Sequence, residues 1–207
     1  MSKFMNKAER GFSLIELLVV TGLVILALGF AIINTTGMTQ NARANAAMDA
    51  VVNVLRQGRE MAITKRRNVE VQFNGSNQIQ LSVLTLPGEP QAPAIAPVYL
   101  NDNAPAGAIF TLFPGLPDTP MNFGNQQPIN LQQPAGGGAW TVMFTTSGAF
   151  VGTSQAAGNL YLTTNNDPVN ASIFFGMTGH TTTARAVTVF GATGRVRSYY
   201  WNGAWQE

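Results

Sequence analysis

From Phe12 to Ile33 the sequence runs for 22 residues with one charge, Glu16, and no other feature constrains the fold so tightly. As a helix at about 1.5 Å per residue the run is roughly 33 Å long, enough to cross a hydrocarbon core of roughly 30 Å. The pattern therefore predicts a membrane-spanning helix over 12–33. A carboxylate in such a run costs at most about 2.5 to 3.5 kcal/mol at the helix centre and less one turn from its start, so Glu16 is a functional candidate in need of a partner. The preceding segment, Met1 to Gly11, carries Lys3, Lys7 and Arg10 against one acid, Glu9. The positive-inside rule keeps that segment cytoplasmic and sends the C-terminal bulk across the membrane.

Lys3 through Gly11, followed by Phe12-Ser13-Leu14-Ile15-Glu16, resembles the leader and start of type IV prepilins and of the pseudopilins of type II secretion. The resemblance implies a prepilin peptidase that cuts between Gly11 and Phe12 and N-methylates the new Phe12 amine. An ordinary secretory signal is cut after its apolar region, which is lost; cutting before it retains the helix. The resemblance also gives Glu16 a partner, the Phe12 amine of a neighbouring subunit as helices bundle into a filament. Read from residue type alone, Glu16 could instead snorkel to the interface of a simple single-pass anchor. The implied setting is the bacterial inner membrane, with the N-terminus cytoplasmic and the C-terminal domain periplasmic. The implied partners are other pilin or pseudopilin subunits and an inner-membrane assembly platform.

At 207 residues the chain has room for this helix and one domain of about 150 residues. Without Met1 to Gly11 its ionised side chains balance at nine basic and nine acidic, so no chain-wide field for nucleic acid follows from the formal +2. There is no cysteine and hence no disulfide. Many type IV pilins close a C-terminal loop with one, so its absence leans the resemblance toward a pseudopilin.

Beyond Asn34 the helix is expected to continue as an amphipathic element to residue 66. Met48, Val51, Leu55, Gly58 and Ala62 recur at three- and four-residue steps, with Asp49, Asn53, Arg56 and Glu60 on another face. Lys65, Arg66 and Arg67 fall where the helix should end, and cations there complement its dipole. No proline interrupts the chain before Pro87; Gly22 and Gly29 are the weak points of helix propensity within the span.

The period then switches to two. Val69, Val71 and Phe73 alternate with polar residues, Asn74-Gly75 predicts a hairpin turn, and Ile79, Leu81 and Val83 continue the alternation. The segment Arg59 to Phe73 resembles the helix end and first strand of the GspH/FimT pseudopilin group. Residues 87–139 hold ten of the eleven prolines and the run Gly136-Gly137-Gly138. Proline removes ladder donors, so a long surface excursion is expected there, with short strands near Val98 to Leu100 and Ile109 to Phe113. Further strands are predicted at Trp140 to Phe144, Phe150 to Val151, Leu160 to Leu162, Ile173 to Phe175 and Val187 to Phe190. A last hairpin runs through Gly191 to Gly194 into Arg195 to Trp201.

Alternation in that last strand places Arg195, Arg197, Tyr199 and Trp201 on one face and Val196, Ser198 and Tyr200 on the other. Gly194-Arg195-Val196-Arg197 is similar to the Gly-Arg-x-Arg ending of FimT-type minor pilins, which are linked to DNA binding in natural transformation. Guanidinium groups contact phosphates and exposed aromatics stack on unpaired bases, with Lys65, Arg66 and Arg67 as helpers if the fold brings them close. Two to five cations release few counterions, so such binding would be weak, and a terminal strand with a solvated arginine side is the plainer reading.

No catalytic set emerges. His180 is the single histidine, and there is no Walker loop, nucleophile elbow or metal-ligand spacing. Asn165-Asn166-Asp167 reads as a polar turn before Pro168 ahead of a calcium loop. The sequence thus predicts an α+β, pilin-like, non-enzymatic protein without cofactor or metal: leader 1–11, filament-core helix 12–33, amphipathic continuation 34–66 and β-rich domain 67–207. Three functional readings follow from the resemblance: a minor pseudopilin of type II secretion or a type IV pilus, a DNA-binding minor pilin, and a major structural pilin.

Overall fold

The computed structural model describes residues 12–85, 88–90, 92–93, 95–100, 107–131, 139–152 and 167–207, with the side chains of 30–36 outside that description. The leader 1–11 with Gly11, the Gly136-Gly137-Gly138 run and the strand expected at Leu160 to Leu162 lie outside the described residues. The chain divides into two compact units, Met1–Thr39 and Gln40–Glu207.

A single helix, α1 (Leu14–Lys65), runs for 52 residues and contributes to both units. In the second unit Ala44, Ala47, Val51, Val54, Leu55, Gly58 and Ala62 are buried, while Asp49, Asn53, Arg56 and Glu60 are exposed. This is the face that the three- and four-residue spacing anticipates. Gly58 allows the close approach: a Cβ there would stand 3.2 Å from Leu81 Cδ2 and 3.3 Å from Phe144 Cδ2. The helix stops at the basic cluster through a Schellman-type end, with Arg66 in the left-handed region at φ 50°. The Arg67 N–H donates to Ala62 O at 3.2 Å and the Arg66 N–H to Ile63 O at 3.4 Å.

Two antiparallel sheets follow where one was expected. The first comprises β1 (Val69–Asn74), β2 (Gln78–Val83), β3 (Val98–Tyr99), β5 (Trp140–Phe144) and β6 (Phe150–Gly152) in the order β3-β2-β1-β5-β6. The second comprises β4 (Ile109–Phe110), β7 (Ala171–Gly176), β8 (Arg185–Phe190), β9 (Arg195–Trp201) and β10 (Trp205–Gln206) in the order β10-β9-β8-β7-β4. In the first sheet Val71 pairs with Leu81 on one side and Val142 on the other. The β1–β2 turn is one residue longer than Asn74-Gly75 alone implies: Asn74 pairs with Gln78, leaving Gly75-Ser76-Asn77 as the loop, with Gly75 at φ 58°.

One apolar core joins the C-terminal half of α1 to the inner faces of both sheets. Val51 and Leu55 of the helix, Val71, Phe73 and Phe144 of the first sheet, and Ile173, Phe175, Val187 and Val189 of the second belong to it. The proline-rich insertion also contributes, which corrects the expectation of a purely outward excursion. Its strands are shorter than anticipated, but Leu100, Ala108, Phe110, Ile129 and Leu131 enter this core. Leu112 and Met121 pack on Phe174, Ala186 and Tyr199, on the opposite face of the second sheet. The Phe123 ring meets Phe190 edge-on with centroids 5.1 Å apart. Prolines exclude long strands, yet nothing in them prevents apolar neighbours from forming a second layer.

Glu70 is the buried carboxylate among the described residues. It lies between Ser82 and Met143 on the outer face of the first sheet and is 3% exposed. Burial pushes its carboxyl above the usual value near 4.5, and a side-chain hydrogen bond with Gln72 opposes this only in part. A raised folded-state carboxyl binds its proton more tightly in the native than in the unfolded chain. Its effect on stability is therefore most favourable below about pH 4.5 and is lost as pH rises through the folded value. Glu70→Gln should raise the unfolding midpoint at neutral pH and flatten the pH dependence above pH 4.5, as read by urea unfolding across that range. Gly58→Leu should cost about 1–3 kcal/mol in the same assay, because the side chain must displace Leu81 or Phe144.

Candidate functional site

In the first unit every described side chain from Phe12 to Gly29 is exposed, Phe12 to 81%. Leu14, Ile15, Leu17, Leu18, Val19, Val20, Leu23, Val24, Ile25, Leu26 and Leu28 encircle the helix, and Glu16 in its first turn is the sole charge among them. The one hydroxyl within the helical part of this stretch, Thr21 Oγ1, donates back to Leu17 O at 2.9 Å and Leu18 O at 3.0 Å, so it presents no unmet polar group. Among the described residues no helical stretch is long and apolar enough to cross a membrane. The described side chains of the helical run, Leu14 to Gly29, make about 24 Å of helix; Phe30 to Ile33, which complete the span predicted from sequence, lie outside the described side chains.

In the second unit the expected cationic-aromatic face of β9 exists as an alternation, but most of it is covered. Tyr199 is buried beneath Leu112 and Met121 and beside Trp205, which removes it from any exposed stacking surface. Trp201 packs edge-on against Trp205 at 5.3 Å, and the Trp205 Nε1–H donates to Pro117 O at 2.8 Å. Arg197 lies over the Phe190 ring at 5.8 Å and pairs with Glu207 at 3.4 Å. Arg195 alone of the four is exposed, and no carboxylate among the described residues lies within ion-pair distance of it. Alternation gave the faces correctly; it carried no information that the insertion would fold over this one.

Arg67 pairs with Glu89 at 2.7 Å. The helix residue brought next to the C-terminal turn is instead Arg59, whose Nε–H donates to Thr193 O at 2.9 Å. Gly194, at φ 61°, sits against both Arg59 and Gly148 O, with no space for a Cβ. The turns at Thr146 to Gly148 and Gly191 to Gly194 thus meet on one arginine. The glycines in both turns were visible in the sequence, whereas their meeting is a tertiary fact.

A second unforeseen arginine is Arg185, 4% exposed at the start of β8. Its guanidinium donates to Asn45 Oδ1 at 2.9 Å, Asn41 Oδ1 at 3.3 Å, Thr182 O at 3.1 Å and Ala184 O at 2.9 Å. Burial lowers its affinity for the proton from the ordinary arginine value, partly offset by Tyr200. Neutral acceptors from α1 and from the 3₁₀ turn Thr181–Thr183 hold the charge, fixing α1 to the head of the second sheet. His180 adds a contact from the same loop, its Nε2 3.4 Å from Gln40 Nε2. Among the described residues no group of acidic or histidine side chains is placed to hold a metal ion. Asn165 and Asn166 lie outside the described residues, and Asp167 is exposed.

An apolar pocket of about 280 Å³ lies between the insertion and the second sheet, lined by Leu112, Phe113, Pro117, Asn125, Phe174 and Trp205. Its lining has no titratable side chain and no nucleophile.

No protein-family model and no curated protein sequence matches the chain. Among solved structures, two crystal forms of the type IV minor pilin FimU of Pseudomonas aeruginosa are similar to it. The form in space group P21 gives a TM-score of 0.47 at 12% identity, over 82% of this chain and 97% of the pilin. The form in P65 gives 0.43 at 12% identity, over 79% and 97% respectively.

Arg185→Ala removes a cluster of charge-assisted hydrogen bonds and opens a void under β8. It should lower stability by about 2–4 kcal/mol in urea unfolding. Arg185→Lys, which cannot reproduce the planar fork, should recover less than half of that.

Proposed function

We propose that this protein is a non-catalytic, pilin-like filament subunit, a GspH/FimT-like minor pseudopilin of a type II secretion pseudopilus or a type IV pilus. Prepilin peptidase cuts between Gly11 and Phe12 and N-methylates Phe12. The helix from Phe12 to Ile33 holds the subunit in the inner membrane, with the β-rich domain on the periplasmic side, until the assembly platform adds it to a filament.

The supporting observation is the helix surface from Leu14 to Gly29, apolar all the way round, exposed, and interrupted only by Glu16. A helix apolar on every side is stable when surrounded by lipid or by other helices. Bilayer and filament provide these two surroundings in turn. The second unit buries the amphipathic half of α1 in its own core, so the apolar half remains available for intermolecular packing.

Glu16 gives the assembly its register. Cleavage leaves an ammonium on Phe12, and the Glu16 carboxylate of one subunit meets the Phe12 amine of another. At about 4 Å and an effective dielectric near 20 such a pair attracts by about 4 kcal/mol before desolvation is counted. A helix displaced along its neighbour loses that attraction while retaining most of its apolar contact, which makes the pair selective for one axial position.

Glu16→Ala should be cut and methylated as the wild type is, stay in the membrane fraction, and be at least tenfold depleted from sheared filaments or from co-purified pseudopilus subunits. Recovery of the variant in filaments at wild-type abundance would contradict the proposed role of Glu16.

A further inference from the structure

β9 pairs with β8 along Arg195 to Tyr200, whereas on its other side β10 pairs only with Tyr200 and Trp201. The hydrogen-bond phase follows from one contact. Trp201 N–H donates to Ala184 O, so Tyr199 and Arg197 also turn their backbone groups toward β8. Val196 and Ser198 therefore direct their N–H and C=O groups outward, and no described strand pairs with them. Both residues are partly exposed.

We infer that the β9 edge from Arg195 to Tyr199 is a docking site for an extended, acidic segment of another protein chain, which adds to the second sheet as a strand. Open ladder groups accept an added strand without knowing its sequence, so selectivity must come from flanking side chains. Here these are cationic. Arg195 is exposed without a carboxylate partner among the described residues, and Arg197 on the same face already pairs with a carboxylate, that of Glu207. The edge carries neither proline nor bulge to block pairing, and its two arginines disfavour a second copy of the same cationic edge.

The chain itself supplies a partial example. β10 is a short added strand on β9, and the following residue, Glu207, sets its carboxylate 3.4 Å from Arg197. A longer segment bearing acids at alternate positions would repeat this arrangement toward Arg195, with its carboxylates on the arginine face. Its backbone would bond to Val196 and Ser198. This inference is independent of how α1 assembles.

The test uses the full chain in detergent micelles and a short peptide of alternating glutamate and threonine, with a lysine-threonine peptide as control. In the free protein the Val196 and Ser198 amides should exchange with solvent at least tenfold faster than those of Arg197 and Tyr199. Adding the acidic peptide should slow them to the rate of their neighbours, while the lysine peptide should leave them unchanged. Arg195→Glu should weaken peptide binding about tenfold. Ser198→Pro, which removes an outward donor, should abolish it with the unfolding midpoint retained. Slow exchange of Val196 and Ser198 in the free protein would overturn the proposal, whether or not the proline variant folds. So would acidic-peptide binding that leaves those amides unchanged, or binding of single-stranded oligonucleotide at Arg195 with none of the peptide.

Discussion

Two unlike demands meet on one helix, and the rest of the molecule follows from how they are divided along it. Over Leu14 to Gly29 the side chains are apolar in every direction, so water is a poor surrounding for that stretch wherever it lies. Beyond Gln40 the apolar residues narrow to a single stripe, and that stripe is satisfied within the molecule by two sheets. A stripe is buried by packing on one side; a full cylinder has to be surrounded, and the described residues of this chain leave it exposed. The first half of α1 consequently needs an external covering.

Within the domain, the buried stripe of α1 combines small residues with larger ones. Ala44, Ala47, Gly58 and Ala62 are buried beside Val51 and Leu55, and at Gly58 the side chains of Leu81 and Phe144 reach the helix. Polar contacts then fix the position of the packed helix. Arg185 binds it through Asn41 and Asn45, and Arg59 ties it to the 191–194 turn. Each of these charges is met by neutral oxygen acceptors, which fixes direction without burying a carboxylate beside the cation.

The sequence made α1 legible because its two periods of apolarity are unambiguous, and it located β1, β2 and the end of the helix for the same reason. Strand faces followed from alternation, including the shared face of Arg195, Arg197, Tyr199 and Trp201. What covers a face is decided by residues far along the chain, and there local reasoning stopped. Leu112 and Met121 lie in a proline-rich stretch with no periodicity, yet they bury Tyr199. The division into two sheets was hidden similarly, since each strand has the same local signature whichever sheet it joins. Nothing local in the sequence marks Arg59 or Arg185, and only the meeting of α1 with distant turns gives them their roles.

The central claim is that the apolar cylinder survives processing and becomes the means of assembly. Intact mass and N-terminal fragmentation of the protein taken from membranes of its native host test it most directly. The account predicts a mature chain starting at Phe12, heavier by one methyl group on its amine and extracted only with detergent. A membrane-free protein, or one in which Gly11 is still joined to Phe12, would contradict it.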